Sequence, residues 1–197
     1  MKNIHPVFHQ IMNREDKEKL LQQHSMVIWF TGLSGAGKTT IGLHLERSLY
    51  KLGYLTQILD GDNIRSGINN NLGFTELDRK ENIRRIAEVS KLLINSGVIA
   101  INSFISPTKE IRQMAKDIIG EDNFIEVFVN TPIEVCEERD VKGLYKKARK
   151  GEIKNFTGID SPFDAPEKPD VELRTDLHSI EESVEACLAV VLGKVKR

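Results

Sequence analysis

The stretch Val27-Ile28-Trp29-Phe30-Thr31-Gly32-Leu33-Ser34-Gly35-Ala36-Gly37-Lys38-Thr39-Thr40 decides the fold. A short run of apolar and branched residues reads as a buried strand. It breaks at Gly32 into a turn that satisfies G-x-x-x-x-G-K-[ST], and Ile41, Leu45 and Leu49 then follow at helical spacing. Strand, glycine-rich turn and helix in that order form the setting in which this motif holds nucleotide phosphates. The glycines let the backbone close around an anion, and the amides of the turn and helix start face it. Gly32, Leu33, Ser34, Gly35, Ala36, Gly37, Lys38, Thr39 and Thr40 are therefore expected to hold ATP or GTP. Lys38 is expected at the terminal phosphates and the Thr39 hydroxyl on Mg²⁺.

Working outward, Leu55–Leu59, Val98–Asn102 and Phe124–Val129 are further short runs rich in branched residues, and Val171-Glu172-Leu173 is a weaker one. Between them lie helical patterns; in one, Ile83, Ile86, Ala87, Ser90, Leu93 and Ile94 share a face. Thr131-Pro132-Ile133-Glu134 offers an N-cap, a proline at the first helical position and a capping-box glutamate. Ser179-Ile180-Glu181-Glu182 offers a second capping box. Alternation of this kind predicts an α/β fold, a central parallel sheet with helices on both faces built around the P-loop. Residues 1–25 read as a polar helical extension and residues 26–197 as the main domain.

Composition narrows the function. Lys and Arg number 28 against 29 Asp and Glu, a formal net charge of −1, which gives no overall pull toward nucleic acid or an anionic membrane. Cys136 and Cys187 are far apart and form no CxxC pair, so a disulfide framework or a structural zinc is not expected, and a reducing cytoplasm is. The first residues carry charges throughout and lack the apolar core of a secretory signal, and no later run reaches the length of a membrane span.

Three further places carry chemistry. In Leu59-Asp60-Gly61-Asp62-Asn63-Ile64-Arg65, two carboxylates at alternate positions point the same way if the chain stays extended. There an Asp would organise Mg²⁺ or accept a proton from a hydroxyl; the other reading is an Asx turn capping the next segment. On the helix after Thr75, Arg79 falls in the middle of the apolar stripe, whereas Arg84 and Arg85 fall off it. A cation on the buried side is costly unless it reaches an anion or a cleft, so Arg79 and Asn82 either grip a substrate anion or Arg79 snorkels at a helix end. Residues 141–169 hold Lys142, Lys146, Lys147, Arg149, Lys150 and Lys154, then Gly158, Pro162, Pro166 and Pro169. A basic helix followed by a long irregular loop reads as a lid or as a solvated helix with a surface loop.

The strings DGDNIR at 60–65, LGF and DRKENIRR between 72 and 85, SFISP at 103–107, FIEVFVNTPIEVCEERD at 124–140 and KGLYKKARKGEIKNFTGIDSPFDAPE at 142–167 together resemble the adenylylsulfate kinase family. The resemblance runs from Val27 to the C-terminus. It implies transfer of the γ-phosphate of ATP to the 3′-hydroxyl of adenylylsulfate (APS), with Mg²⁺, giving 3′-phosphoadenylylsulfate (PAPS) and ADP in sulfate assimilation. By position it implies Asp62 as base or Mg²⁺ organiser with Asp60 close by, and Lys38 and Ser106 among the catalytic residues. Arg65, Arg79 and Asn82 then bind the phosphosulfate side, with Ile105 and Leu144 also at the acceptor, and Phe74 and Phe156 sandwich the adenine. Lys142 belongs to the lid, and Arg139 and Thr175 lie around the ATP base. Ser106 matches the family's phosphoserine position, although Ser106-Pro107 also reads as an N-cap followed by proline. The family implies a homodimer, and a sulfurylase partner that hands over the substrate is open. The departures, Asn69-Asn70-Asn71 and Thr108-Lys109, fall where the family itself varies. Phe156 is expected in a loop that is exposed when empty, so its loss would cost little stability. Two rivals stay open at this point, another small P-loop kinase acting on a nucleoside monophosphate, gluconate or shikimate, and a regulatory ATP-binding module.

Overall fold

The strand that opens the motif, β1 (Val27–Thr31), is buried along its whole length, and its side chains split between two cores by simple alternation. Ile28 and Phe30 enter one core with Ile99, Ile101, Ile125 and Val127; Val27 and Trp29 enter the other with Ala100 and Phe124. A strand buried on both faces reads as an unbroken apolar run, which is why the sequence shows no polar alternation here.

The computed structural model describes residues 3–197. β2 (Thr56–Asp60), β3 (Ile99–Ser103), β4 (Phe124–Val129) and β5 (Val171–Leu173) join β1 in one five-stranded sheet of order β2-β3-β1-β4-β5. Every pairing is parallel, with Val27 opposite both Ala100 and Phe124, Thr56 opposite Ile99 and Val127 opposite Val171. Helices α2 (Lys38–Lys51) and α8 (Ile180–Val195) cover the face of Ile28 and Phe30; α4 (Glu76–Ile94) and α5 (Lys109–Ile119) cover the face of Val27 and Trp29. Ser179 and Glu182 form the expected capping box of α8. Because the strands run the same way, the residues that follow all five leave from one edge of the sheet.

Upstream, α1 (Arg14–Leu21) is capped by Asn13 and docks at the opposite edge. The buried Gln23 carboxamide donates to the carbonyls of Leu55 (3.0 Å) and Gly97 (2.7 Å) and accepts from the Leu55 amide. No described helix is long and apolar enough to cross a membrane. The short helices α3 (Gly61–Ser66), α6 (Ile133–Arg139) and α7 (Leu144–Arg149) all lie at the carboxyl edge.

Two local expectations are corrected. Thr131 does not cap α6, which begins at Ile133 with Pro132 in the cap position and no side-chain cap. Ser106 does not cap α5 either; Thr108 does, accepting from the Ile111 amide. In both places a hydroxyl that suits a cap is drawn into the strand-end network described next, where a buried partner competes with the local amide.

Candidate active site

The turn after β1 is shaped by close contacts that leave no room for side chains. A Cβ on Gly32 would stand 2.6 Å from the Val129 carbonyl oxygen, and its φ of +147° is one that side chains avoid. The turn leads into α2, whose first residue, Lys38, is buried and donates to the carbonyls of Gly32 (3.0 Å) and Leu33 (2.7 Å). Burial brings the Lys38 ammonium from 10.5 to about 8, with Lys142 adding to the fall and Cys136 and Asp60 opposing it.

Each of the other strands delivers polar groups to this turn. At the end of β2, Asp60 accepts from the Thr39 hydroxyl at 2.7 Å and from the Asp62 amide at 3.0 Å, capping α3. The chain therefore turns helical at once, so Asp60 and Asp62 do not lie on an extended strand with parallel side chains. Thr39 is brought to Asp60, while the exposed Asp62 carboxylate receives Lys142 from the far segment of the chain. At the end of β3, the Ser103 hydroxyl lies 3.2 Å from that of Thr39. Beyond β4 and β5, the Thr131 and Thr175 hydroxyls lie 2.7 Å apart and 3.1 and 2.8 Å from the Ala36 carbonyl, so that one donates to the carbonyl and the other to its neighbour's oxygen. Arg139 reaches the Thr175 hydroxyl (2.9 Å) and carbonyl (2.7 Å). Arg139 and Thr175 thus meet beside the phosphate turn.

Ser106 is buried, with a φ of +40°. Its hydroxyl accepts from Trp29 Nε1 (3.1 Å) and donates to Thr31 Oγ1 (3.0 Å), whose own hydroxyl donates to the Ile105 carbonyl at 2.7 Å.

The other half of the cleft gathers around Arg79. This half-buried guanidinium donates to the carbonyls of Phe74 (3.0 Å) and Asn155 (2.8 Å) and faces the Thr157 hydroxyl at 3.5 Å. Burial lowers its affinity for its proton, and Arg65 lowers it further. Arg65 lies over the exposed Phe74 ring at 4.4 Å and donates to the carbonyls of Leu72 and Gly73. Asn82 is buried and accepts from Asn69 at 3.0 Å. The segment 141–169 is, as read, a short helix, α7, and a long irregular stretch. Phe156 departs from expectation. Its ring is buried, edge-on to Tyr145 at 4.9 Å, and belongs to the main core. Tyr145 in turn donates from its hydroxyl to the Ser34 carbonyl at 2.9 Å, so α7 and the phosphate turn share one packing unit with half-buried Leu144 alongside.

Thr31, Ser103, Thr131 and Tyr145 were not read as site residues from the sequence. The signal for the first three was present, since each is a polar residue at or just past the end of an apolar run. In a parallel sheet those positions line the ligand edge.

Comparison with known proteins agrees with this arrangement. The adenylylsulphate kinase family model matches residues 24–174. An adenylyl-sulfate kinase of Bacteroides thetaiotaomicron is 65% identical over 195 residues, covering 99% of this chain and 97% of that protein. The structure of the Mycobacterium tuberculosis APS kinase CysC, in complex with AMPPNP and APS, matches with a TM-score of 0.82 at 44% identity, over 85% of this chain and 98% of that one. A shikimate kinase of Aquifex aeolicus, at 21% identity and a TM-score of 0.52 over 85% of this chain and 97% of that one, shares the fold alone. With the phosphate turn, the strand-end carboxylates and the arginine-centred pocket on one edge of the sheet, and with that match along nearly its whole length, the chain belongs to the adenylylsulfate kinase family.

Proposed function

We propose that this protein transfers the γ-phosphoryl group of ATP to the 3′-hydroxyl of adenylylsulfate, giving PAPS and ADP. The observation that carries the acceptor is Arg79, a half-buried cation held by two carbonyls between the exposed Phe74 and the lid residues Asn155 and Thr157. A guanidinium in that setting is suited to a phosphosulfate group, with an aromatic ring next to it for a flat base.

Phosphoryl transfer asks for positioning and charge neutralisation more than covalent help. The amides from Gly32 to Thr39 and the Lys38 ammonium would hold the ATP phosphates, and Arg139 and Thr175 would flank its base. Thr39 and Asp60, 2.7 Å apart, offer hard oxygen donors that suit Mg²⁺. Among the described residues no three His, Cys, Asp or Glu side chains cluster, which fits an ion held by one or two protein oxygens together with phosphates. When bound, Mg²⁺ supplies neutralisation of charge on the β- and γ-phosphates.

Asp62, in the first turn of α3, would accept the proton of the 3′-hydroxyl as its oxygen bonds to the γ-phosphorus and the bridging oxygen leaves with ADP. Lys142, which touches Asp62, would then lie over the transferring group and keep water out. Arg65, Arg79 and Asn82 would take the phosphosulfate side, Phe74 the adenine, and Ile105 and Leu144 the walls; the Phe156 ring, buried against Tyr145, would have to leave the core to stack on that base. We assign Ser106 no covalent step, because its hydroxyl is already engaged by Trp29 and Thr31. The homodimer and a cytoplasmic site of action belong to this reading; sedimentation showing a monomer at micromolar concentration would remove the first.

The test is direct detection of PAPS from ATP and APS, with gluconate, shikimate and nucleoside monophosphates as competing acceptors. Turnover with APS alone supports the reading, and preference for any other acceptor overturns it.

A further inference from the structure

The turn from Asn155 to Ser161 packs against both Arg79 and the phosphate turn, and alongside its backbone hydrogen bonds an exposed carboxylate braces its first two residues. Asn155 has φ +57°, a left-handed conformation that side chains disfavour. In that conformation its carbonyl meets Arg79 at 2.8 Å, and the next residue, Phe156, places its ring in the core against Tyr145. On the other flank Gly158 backs onto the phosphate turn so closely that a Cβ there would stand 3.0 Å from a Leu33 methyl. The amides of Asn155 (2.7 Å) and Phe156 donate one to each oxygen of Asp160. The Gly158 amide closes the turn on the Ser161 carbonyl at 2.8 Å. Asp160 thus spends both oxygens on backbone amides.

We propose that Asp160 is a positioning residue for the acceptor. It locks residues 155–157 so that the Asn155 carbonyl aims the Arg79 guanidinium, without itself touching substrate. Its negative charge also supports the Arg79 cation against burial and Arg65. This inference rests on the assignment of Arg79 to adenylylsulfate made above. A turn carboxylate with no such role would affect only the stability of the loop, or both substrates alike.

The experiment compares wild type, Asp160→Ala and Asp160→Asn, each with and without Arg79→Ala, by steady-state kinetics in ATP and APS and by thermal melting. Asp160→Ala is expected to raise the KM for APS about tenfold while the KM for ATP and the melting temperature stay nearly unchanged. Asp160→Asn is expected to fall between, since its amide keeps one accepting oxygen for two amides. In the Arg79→Ala background the added loss is expected to shrink below about threefold, because the effect runs through Arg79. An unchanged KM for APS, an equal rise for both substrates, or a full tenfold loss without Arg79 would overturn the proposal. Wild-type protein that shows no calorimetric binding of APS would instead remove the acceptor assignment on which the proposal stands.

Discussion

Between Gly32 and Thr39 consecutive residues make the proposed phosphate cradle, whereas the proposed acceptor side draws Arg65, Phe74, Arg79 and Asn82 from α3, the entry to α4 and α4 itself, with Phe156 from the segment 141–169. The cradle works through backbone amides, and neighbouring amides are neighbours in sequence, so a contiguous motif suffices. The acceptor side works through side chains that must arrive from different directions around a flat base and an anion, so it exists only once the sheet, α4 and the lid have packed. The first half tolerates little change of backbone, as the 2.6 Å approach at Gly32 shows. The second depends on who holds whom, as with Arg79 and the carbonyls of Phe74 and Asn155.

Asp62 stands on the seam between the halves, and its replacement gives the largest expected effect. Asp62→Asn should lower kcat by ~10²–10⁴-fold with ATP affinity preserved, because it removes the proton acceptor and leaves the cradle intact. Rapid kinetics and calorimetry check it, and wild-type turnover would move the base elsewhere. Phe156→Ala comes next. The buried ring now predicts a stability loss of about 3 kcal/mol, in addition to weaker APS binding. Denaturant titration measures the first part; an unchanged midpoint would return Phe156 to the exposed loop that the sequence suggested.

Arg79→Ala should weaken APS binding by about 2–3 kcal/mol and ATP binding far less, which tests whether the two halves are energetically separate. Equal weakening of both nucleotides would make Arg79 a structural strut. The smallest effect belongs to Ser106→Ala, which leaves the buried Trp29 indole donor without its partner at a cost of about 1–2 kcal/mol. Activity should persist. Loss of all activity in a folded variant, with a competent phosphoenzyme trapped from wild type, would place Ser106 in the chemistry.

The two misread hydroxyls share a cause with the misread phenylalanine. Thr131 and Ser106 each precede or equal a residue before proline and look like caps, because local sequence shows only the amides nearby. The tertiary partners, Ala36 and Thr175 for one and Trp29 and Thr31 for the other, lie between 44 and 95 residues away. Phe156, in a stretch rich in Gly and Pro, reads as loop, and only the arrival of Tyr145 beneath it makes it core.

By itself the sequence determined the parallel sheet, the phosphate turn and the buried side of α4, because strand runs, glycine spacing and helical periodicity are local patterns with local physical causes. It also marked Arg79, since a cation on an apolar stripe is costly wherever the helix ends up. The tertiary structure alone decided that Thr39 pairs with Asp60, that Lys142 meets Asp62 and that Arg79 faces Thr157. Those are contacts between side chains far apart along the chain, and their geometry is fixed by packing, which no single stretch of sequence contains.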